Sequence, residues 1–312
     1  MLKIGGAVLG LGGLAAGLTA LAISVGGAAP QPFLVAKPLA ATQGGIIRAL
    51  LPRPVGSEKA APITDLTLDG VPVPTTADGH FIIGFARDAG PAAQLRWTTA
   101  EGRAAAWPVA VAPRPWSIDH MPARPAAPSN PEADAKWTAL RDAETGAFKA
   151  ARAGISDWPF WSAPVRAPVP GRISGVYGSQ RIWGDVPAQP HTGLDIAAPP
   201  GTPVKAPLPG IVRLAQGPFS LEGNLIILDH GMGLYSTYMH LSKILVQPGA
   251  LVRQGEVIGK VGATGRVTGP HLHWGMTLRE VRVDPASLFD RPLPEDSRIP
   301  DEPDEPKEAP TP

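Results

Sequence analysis

The chain has 312 residues, a net charge of +1, 36 glycines, 38 prolines and no cysteine. Its length allows two modest domains with tails, and its near-neutral charge argues against nucleic acid as the main partner. The absence of cysteine excludes disulfides and thiolate metal ligands, and a 6% aromatic content with so much Gly and Pro favours short strands and turns over helix bundles.

Residues 4–27 carry no charge, follow Lys3 and are rich in Ala, Leu, Val and Gly. The run is long enough to span a membrane, and Gly26-Gly27-Ala28 offers small residues for signal cleavage. Residues 1–28 are therefore expected to form a signal peptide or a membrane anchor, placing the rest outside the cytoplasm. Eight glycines make this run a poor buried helix. Residues 30–47 read as an extended, partly flexible approach segment.

From residue 63 the pattern becomes strand and turn. Thr64-Asp65-Leu66-Thr67-Leu68 alternates polar and apolar, and Asp69-Gly70 and Asp78-Gly79 are hairpin signals. Phe81 to Phe85, Leu95 to Thr98 and Trp107 to Val111 read as further strands, the last two joined through Glu101-Gly102. Residues 42–115 are expected to form a small β-sandwich resembling immunoglobulin-like modules, as a spacer or a binding device. Residues 113–131 form a Pro-rich linker. Residues 132–153 read as a helix within a helical linker (130–155), with Leu140, Ala143, Phe148 and Ala151 as an apolar stripe and a solvated polar face. Trp158-Pro159-Phe160-Trp161 opens the next domain, and packing beneath its sheet explains these aromatics better than glycan binding.

Residues 164–290 hold the chemistry. Leu225 to Leu228 is a wholly apolar run, expected to be covered on both faces. Pro200-Gly201-Thr202-Pro203-Val204 echoes Pro248-Gly249-Ala250-Leu251-Val252, each a turn entering a strand. His191 and Asp195 are four residues apart, and His271 and His273 are two apart. The prolines and glycines around Asp195 argue against a helix, and even spacings in an extended chain put side chains on one face. Two imidazoles and a carboxylate are the usual protein ligands of a catalytic zinc, with water in the fourth position. Spacing alone leaves open which of His271 and His273 would be the ligand.

H-x-x-x-D followed far downstream by H-x-H resembles the lysostaphin-type zinc metallopeptidases, which cut peptide bonds of bacterial peptidoglycan. Asp229-His230-Gly231-Met232-Gly233, Tyr238-Met239-His240-Leu241-Ser242 and Gly262-Ala263-Thr264-Gly265 match that family's central hairpin and loop in order. The resemblance spans roughly residues 170–284 and implies a mainly antiparallel β catalytic domain with an open groove. It further implies Zn²⁺ held by His191, Asp195 and His273, with His240 and His271 acting on water as general base and transition-state stabilisers. His230 reads as structural, while Tyr177, Arg181 and Asn224 are expected to shape the groove. The implied substrate is a peptidoglycan peptide, in the periplasm or cell envelope.

Some proteins of this type lose ligands and act only as regulators of other wall hydrolases; here every ligand position is filled. The duplicated turn also suggests biotinyl-type carriers, but Lys260 lacks the adjacent Met such domains use. The module at 63–111 or the helix at 132–153 is expected to lie near the groove mouth and limit access. Residues 291–312 alternate Pro with acid and read as a disordered tail.

Overall fold

The computed structural model describes residues 39–51, 65–77, 79–99, 102–123, 131–289 and 298–299. The expected leader at 1–28 lies outside these residues, as does most of the expected tail. Among the described residues no helix is long and apolar enough to cross a membrane.

Seven strands build the first part: β1 (Leu39–Thr42), β2 (Ile46–Leu50), β3 (Thr67–Leu68), β4 (Val71–Pro72), β5 (His80–Gly84), β6 (Ala92–Thr98) and β7 (Ala104–Ala112). They form a sheet of order β1-β7-β6-β3-β4 and a β2-β5 pair. Every second residue of β7 is buried, as expected of a strand with one face on a core. Asp69 and Gly70, with φ of 48° and 84°, make the tight turn between β3 and β4. The approach segment differs from expectation: its described part is β1 and the start of β2. Leu39 to Thr42 pair in parallel with Val109 to Ala112, because this short apolar stretch completes the open edge of β7.

The next strands are β8 (Ile118–Met121), β9 (Gly171–Gly175), β10 (Gln180–Trp183) and β11 (Val186–Pro187), with helix α1 (Pro131–Ala151) between β8 and β9. β8 falls within the expected Pro-rich linker. Its four residues lie between prolines rather than on them, so they can pair as an edge strand in the order β11-β10-β8.

The second part continues with β12 (Gly193–Ala197), β13 (Pro203–Lys205), β14 (Gly210–Phe219), β15 (Gly223–Asp229), β16 (Leu234–Leu241), β17 (Lys243–Ile244), β18 (Leu251–Val252), β19 (Val257–Lys260), β20 (Leu272–Leu278), β21 (Val281–Val283) and β22 (Arg298–Ile299). The main sheet runs β18-β14-β15-β16-β20-β12-β9-β22, with β21 on β20; β13-β19-β17 forms a smaller one. Its pairings are antiparallel, so the mainly β, antiparallel architecture is as expected. β22 belongs to the expected disordered tail, yet Arg298 and Ile299 pair with Arg172 and Gly171.

β15 explains the apolar run. Ile226 and Leu228 point into the main core with Trp274, Leu194 and Ile258. Leu225 and Ile227 point the other way, onto Phe219, Tyr235 and the helix residues Ala147, Phe148 and Ala151. All four are fully buried. The apolar stripe of α1 is thus only half used: Leu140 is 46% exposed and Ala143 is exposed. The supposedly solvated face docks instead. Arg141 forks onto Glu222 at 2.8 and 2.9 Å, and Glu144 accepts from the Ser220 backbone N–H and hydroxyl at 2.6 Å. Bidentate charged contacts of this kind fix the helix beside the short apolar seam of Ala147, Phe148 and Ala151.

Trp161 is buried in the main core, whereas Trp158 stacks on Phe160 at 5.7 Å. The two parts share this core: Ile82 of β5 is buried in it, Arg48 donates to the carbonyls of Trp161 and Ala163, and Arg114 pairs with Asp284 at 2.7 Å.

Candidate metal centre

Strand pairing brings the first two candidates together. β12 runs antiparallel to β20 with Asp195 opposite His273. On its other side β12 meets β9 through a bulge, with Ser174 as the extra residue between the Asp195–Gly175 and Ile196–Ile173 pairs. Gly175 is needed there, since a Cβ would stand 2.5 Å from Asp195 Oδ2. His191 precedes β12 and is tied down by its backbone, its N–H donating to Ser179 O and its carbonyl accepting from Gly178 N, both at 2.8 Å.

The side chains converge. His191 Nε2 lies 3.0 Å from Asp195 Oδ1 and 3.0 Å from His273 Nδ1, and His273 Nδ1 lies 2.8 Å from Asp195 Oδ1. Among the described residues these three form the cluster able to hold a metal. His271 Nε2 stands 3.7 Å from Asp195 Oδ1, on the same side as His273, as its spacing of two requires. The His240 ring is 4.9 Å from that of His271 and 6.2 Å from that of His273.

Tautomers follow from the outer bonds. Nδ1 of His191, His240 and His271 each lies 2.9 Å from a backbone carbonyl, of Val176, Thr264 and Gly269 respectively. A carbonyl only accepts, so each Nδ1 carries the proton and each Nε2 presents a lone pair to the centre. His191 Nε2, Asp195 Oδ1 and His273 Nδ1 therefore form a donor set for a cation, with His191 oriented by an outer hydrogen bond as metal-bound histidines are. Two nitrogens and one oxygen with a further position open fit Zn²⁺.

The charges agree. Burial opposes ionisation of Asp195, but the His191 and His273 imidazoles set against its Oδ1 outweigh it and hold its carboxyl well below the usual range. Burial pushes His273 down, and pushes His240 down to about 4, so His240 is neutral near pH 7. His240 also has φ of 64°. It sits where β16 carries an extra residue, since Tyr238 pairs with Ile226 and Leu241 with Asn224. The bulge turns its side chain towards the centre. Its backbone N–H donates to Glu222 O at 2.9 Å, so the residue clamped by Arg141 also holds His240.

Two cavities border the cluster. One, of about 510 Å³, reaches His240 and His273 and is walled by α1; the other, of about 540 Å³, reaches His191 and Asp195 and is walled by β8 and β10. Arg181 lines the second. Tyr177 is buried and donates to Arg282 O, while Asn224 donates to Leu241 O, so both brace strands rather than line the cavities. Glu222 lies outside the motifs that the sequence offered, and Thr264 figured there only as part of a loop. Glu222 and Thr264 act at His240 through backbone carbonyls, which carry no residue signature.

His230 stands apart from the cluster. It is fully buried, with Nδ1 2.6 Å from Pro209 O and Nε2 2.7 Å from Ser236 Oγ, and burial pushes it down to about 4. Between pH 6.5 and 4 the unfolded chain therefore binds a proton that the fold refuses, so stability falls as pH drops through this window. The lost contribution is roughly 3 kcal/mol. Unfolding free energies measured across this window should show a slope shallower by about one proton in His230→Asn; an unchanged slope would mean that His230 is not held neutral.

A mainly antiparallel sheet carrying a His, Asp and His donor set in a groove defines a metal-centred hydrolase class. The profile of Peptidase family M23 matches residues 189–285. A Pseudomonas aeruginosa crystal structure described as a peptidase M23 is 32% identical, covers 82% of this chain and 96% of its own, and superposes with a TM-score of 0.57. The chain belongs to peptidase family M23. It is 46% identical over 91 residues to the peptidoglycan DD-endopeptidase ShyA of Vibrio cholerae, a match covering 29% of this chain and 21% of that protein. It is 45% identical over 98 residues to the DD-carboxypeptidase/endopeptidase Mpg of Neisseria meningitidis, covering 31% and 22%. The chain thus spans about a fifth of the length of these curated relatives.

Proposed function

We propose that this protein is a zinc-dependent endopeptidase that hydrolyses peptide cross-links of bacterial peptidoglycan, acting outside the cytoplasm in cell-wall remodelling. The observation that carries this reading is the convergence of His191 Nε2, Asp195 Oδ1 and His273 Nδ1 within 3.0 Å, with two further lone-pair-bearing imidazoles beside them. The named activities of the relatives supply the substrate class.

His191, Asp195 and His273 would hold the zinc, and Asp195 would offset part of its charge. When bound, zinc supplies a Lewis acid and a water whose pKa is lowered to about 7. His240 is neutral with Nε2 towards the centre, so it can accept the proton of attacking water. His271, similarly oriented by Gly269 O, stands beside His240 with Nε2 turned to the centre, where it can help to hold the attacking water. The proton accepted from water is then available to the leaving amine. The carbonyls of Thr264 and Gly269 keep both rings in register, so orientation does not have to be established during the reaction.

Metal analysis of the purified protein, together with digestion of isolated cross-linked wall, tests the reading. About one zinc per chain and release of cross-link fragments, abolished by chelator and restored by zinc, is expected. A zinc-loaded protein that leaves the cross-links intact would refute it.

A further inference from the structure

In the cavity walled by α1, two arginines face the groove without a described partner. Arg152 follows the last residue of α1, and Arg282 lies on β21; both line the cavity that reaches His240 and His273. Arg152 Nε is sealed from solvent and has no hydrogen-bond partner. A helix C-terminus attracts cations, which explains the placement of Arg152 but not its unpaired nitrogen. Burial first, and then the like charge of Arg282, disfavours the Arg152 cation; Glu280 offsets this only in part. A guanidinium with one sealed, unpaired nitrogen and a like charge beside it is favoured by an anion nearby.

Register gives the distance. Arg282 pairs with Thr277, which shares a strand face with Gly275 and His273. Four residues of strand separate Thr277 from His273, about 13 Å. An extended peptide covers that length in about three to four residues.

We infer that Arg152 and Arg282 form a subsite for a carboxylate of the peptide substrate, on one side of the scissile bond and about three to four residues from it. The substrate class rests on the function proposed above, but the anion site does not. A guanidinium fork matches a carboxylate in geometry as well as charge. The carboxylate can belong to a chain end or to a side chain, and the two sources are separable by test.

Calorimetric titration of the zinc-loaded protein with N-acetylated tripeptides bearing one carboxylate, at the C-terminus or on a side chain, against their carboxamides, reads the site without cleavage. The acid in the matching position should bind about tenfold or more tightly than its amide. Arg152→Gln and Arg282→Gln should each bring the ratio close to one, while Arg152→Lys keeps part of it. Zinc content should remain that of the parent. Because Arg282 is exposed, its variant stays informative if Arg152→Gln folds poorly. Equal binding of acid and amide, absence of binding by either, or an undiminished ratio in the Arg282→Gln protein would overturn the subsite. Failure to cleave wall cross-links would leave these ratios untouched and would count against the enzyme reading instead.

Discussion

His273→Ala protein is expected to purify without zinc and to release no cross-link fragments. His273 sits at the crossing of three strands, opposite Asp195 on β12 and Met239 on β16, so its imidazole is delivered by register rather than by a flexible loop. Its removal leaves two protein donors and an Asp195 carboxylate stripped of its closest partner at 2.8 Å. Even outer-sphere partners of a metal typically contribute ten- to a hundredfold in affinity, so loss of a direct ligand should exceed about a hundredfold. His191→Ala should behave alike. The readouts are zinc per folded chain, with thermal unfolding to confirm the fold. Parental zinc content in either variant would remove that residue from the ligand set.

His240→Asn should keep its zinc and lose about a hundredfold or more in kcat. Asparagine is the better replacement because position 240 has φ of 64°, a left-handed conformation that Asn tolerates and Ala resists. The backbone bond to Glu222 O and the bulge of β16 should survive, so the loss would report the imidazole and not the strand. A zinc-free His240→Asn protein, or one digesting wall at the parental rate, would sink this assignment.

Much of this centre was legible in the chain because its parts are local patterns. Even spacing put His191 with Asp195 and His271 with His273, and prolines and glycines marked the strand ends. The apolar run at 225–228 announced a strand covered on both faces, but its cover could not be read. That cover includes α1, whose docking depends on Arg141 meeting Glu222, residues 81 positions apart that look like ordinary surface charges. β8 was hidden for a similar reason. A four-residue edge strand among prolines has too little pattern to stand out, and its partner β10 lies far along the chain. The bulges at Asp195 and His240 were also invisible, because an extra unpaired residue is a relation between two strands rather than a property of either.

β15 carries a consequence for fidelity of assembly. A strand with one wet face encodes its own alignment, because sliding by one residue turns oil towards water. Leu225 to Leu228 meet apolar surroundings on both sides, so polarity scarcely opposes a one-notch slip. Alignment is instead set by stops at the two ends. Asn224 donates to Leu241 O at one end, and at the other Asp229 accepts from Arg213, Ser156 and the Gly231 amide. These stops index β16 against β15 and thereby set where the imidazole of His240 arrives. Polar residues remote from the chemistry thus act as its gauge blocks: a chain that loses them can stay densely packed while aiming its base one notch away from the bond to be cut.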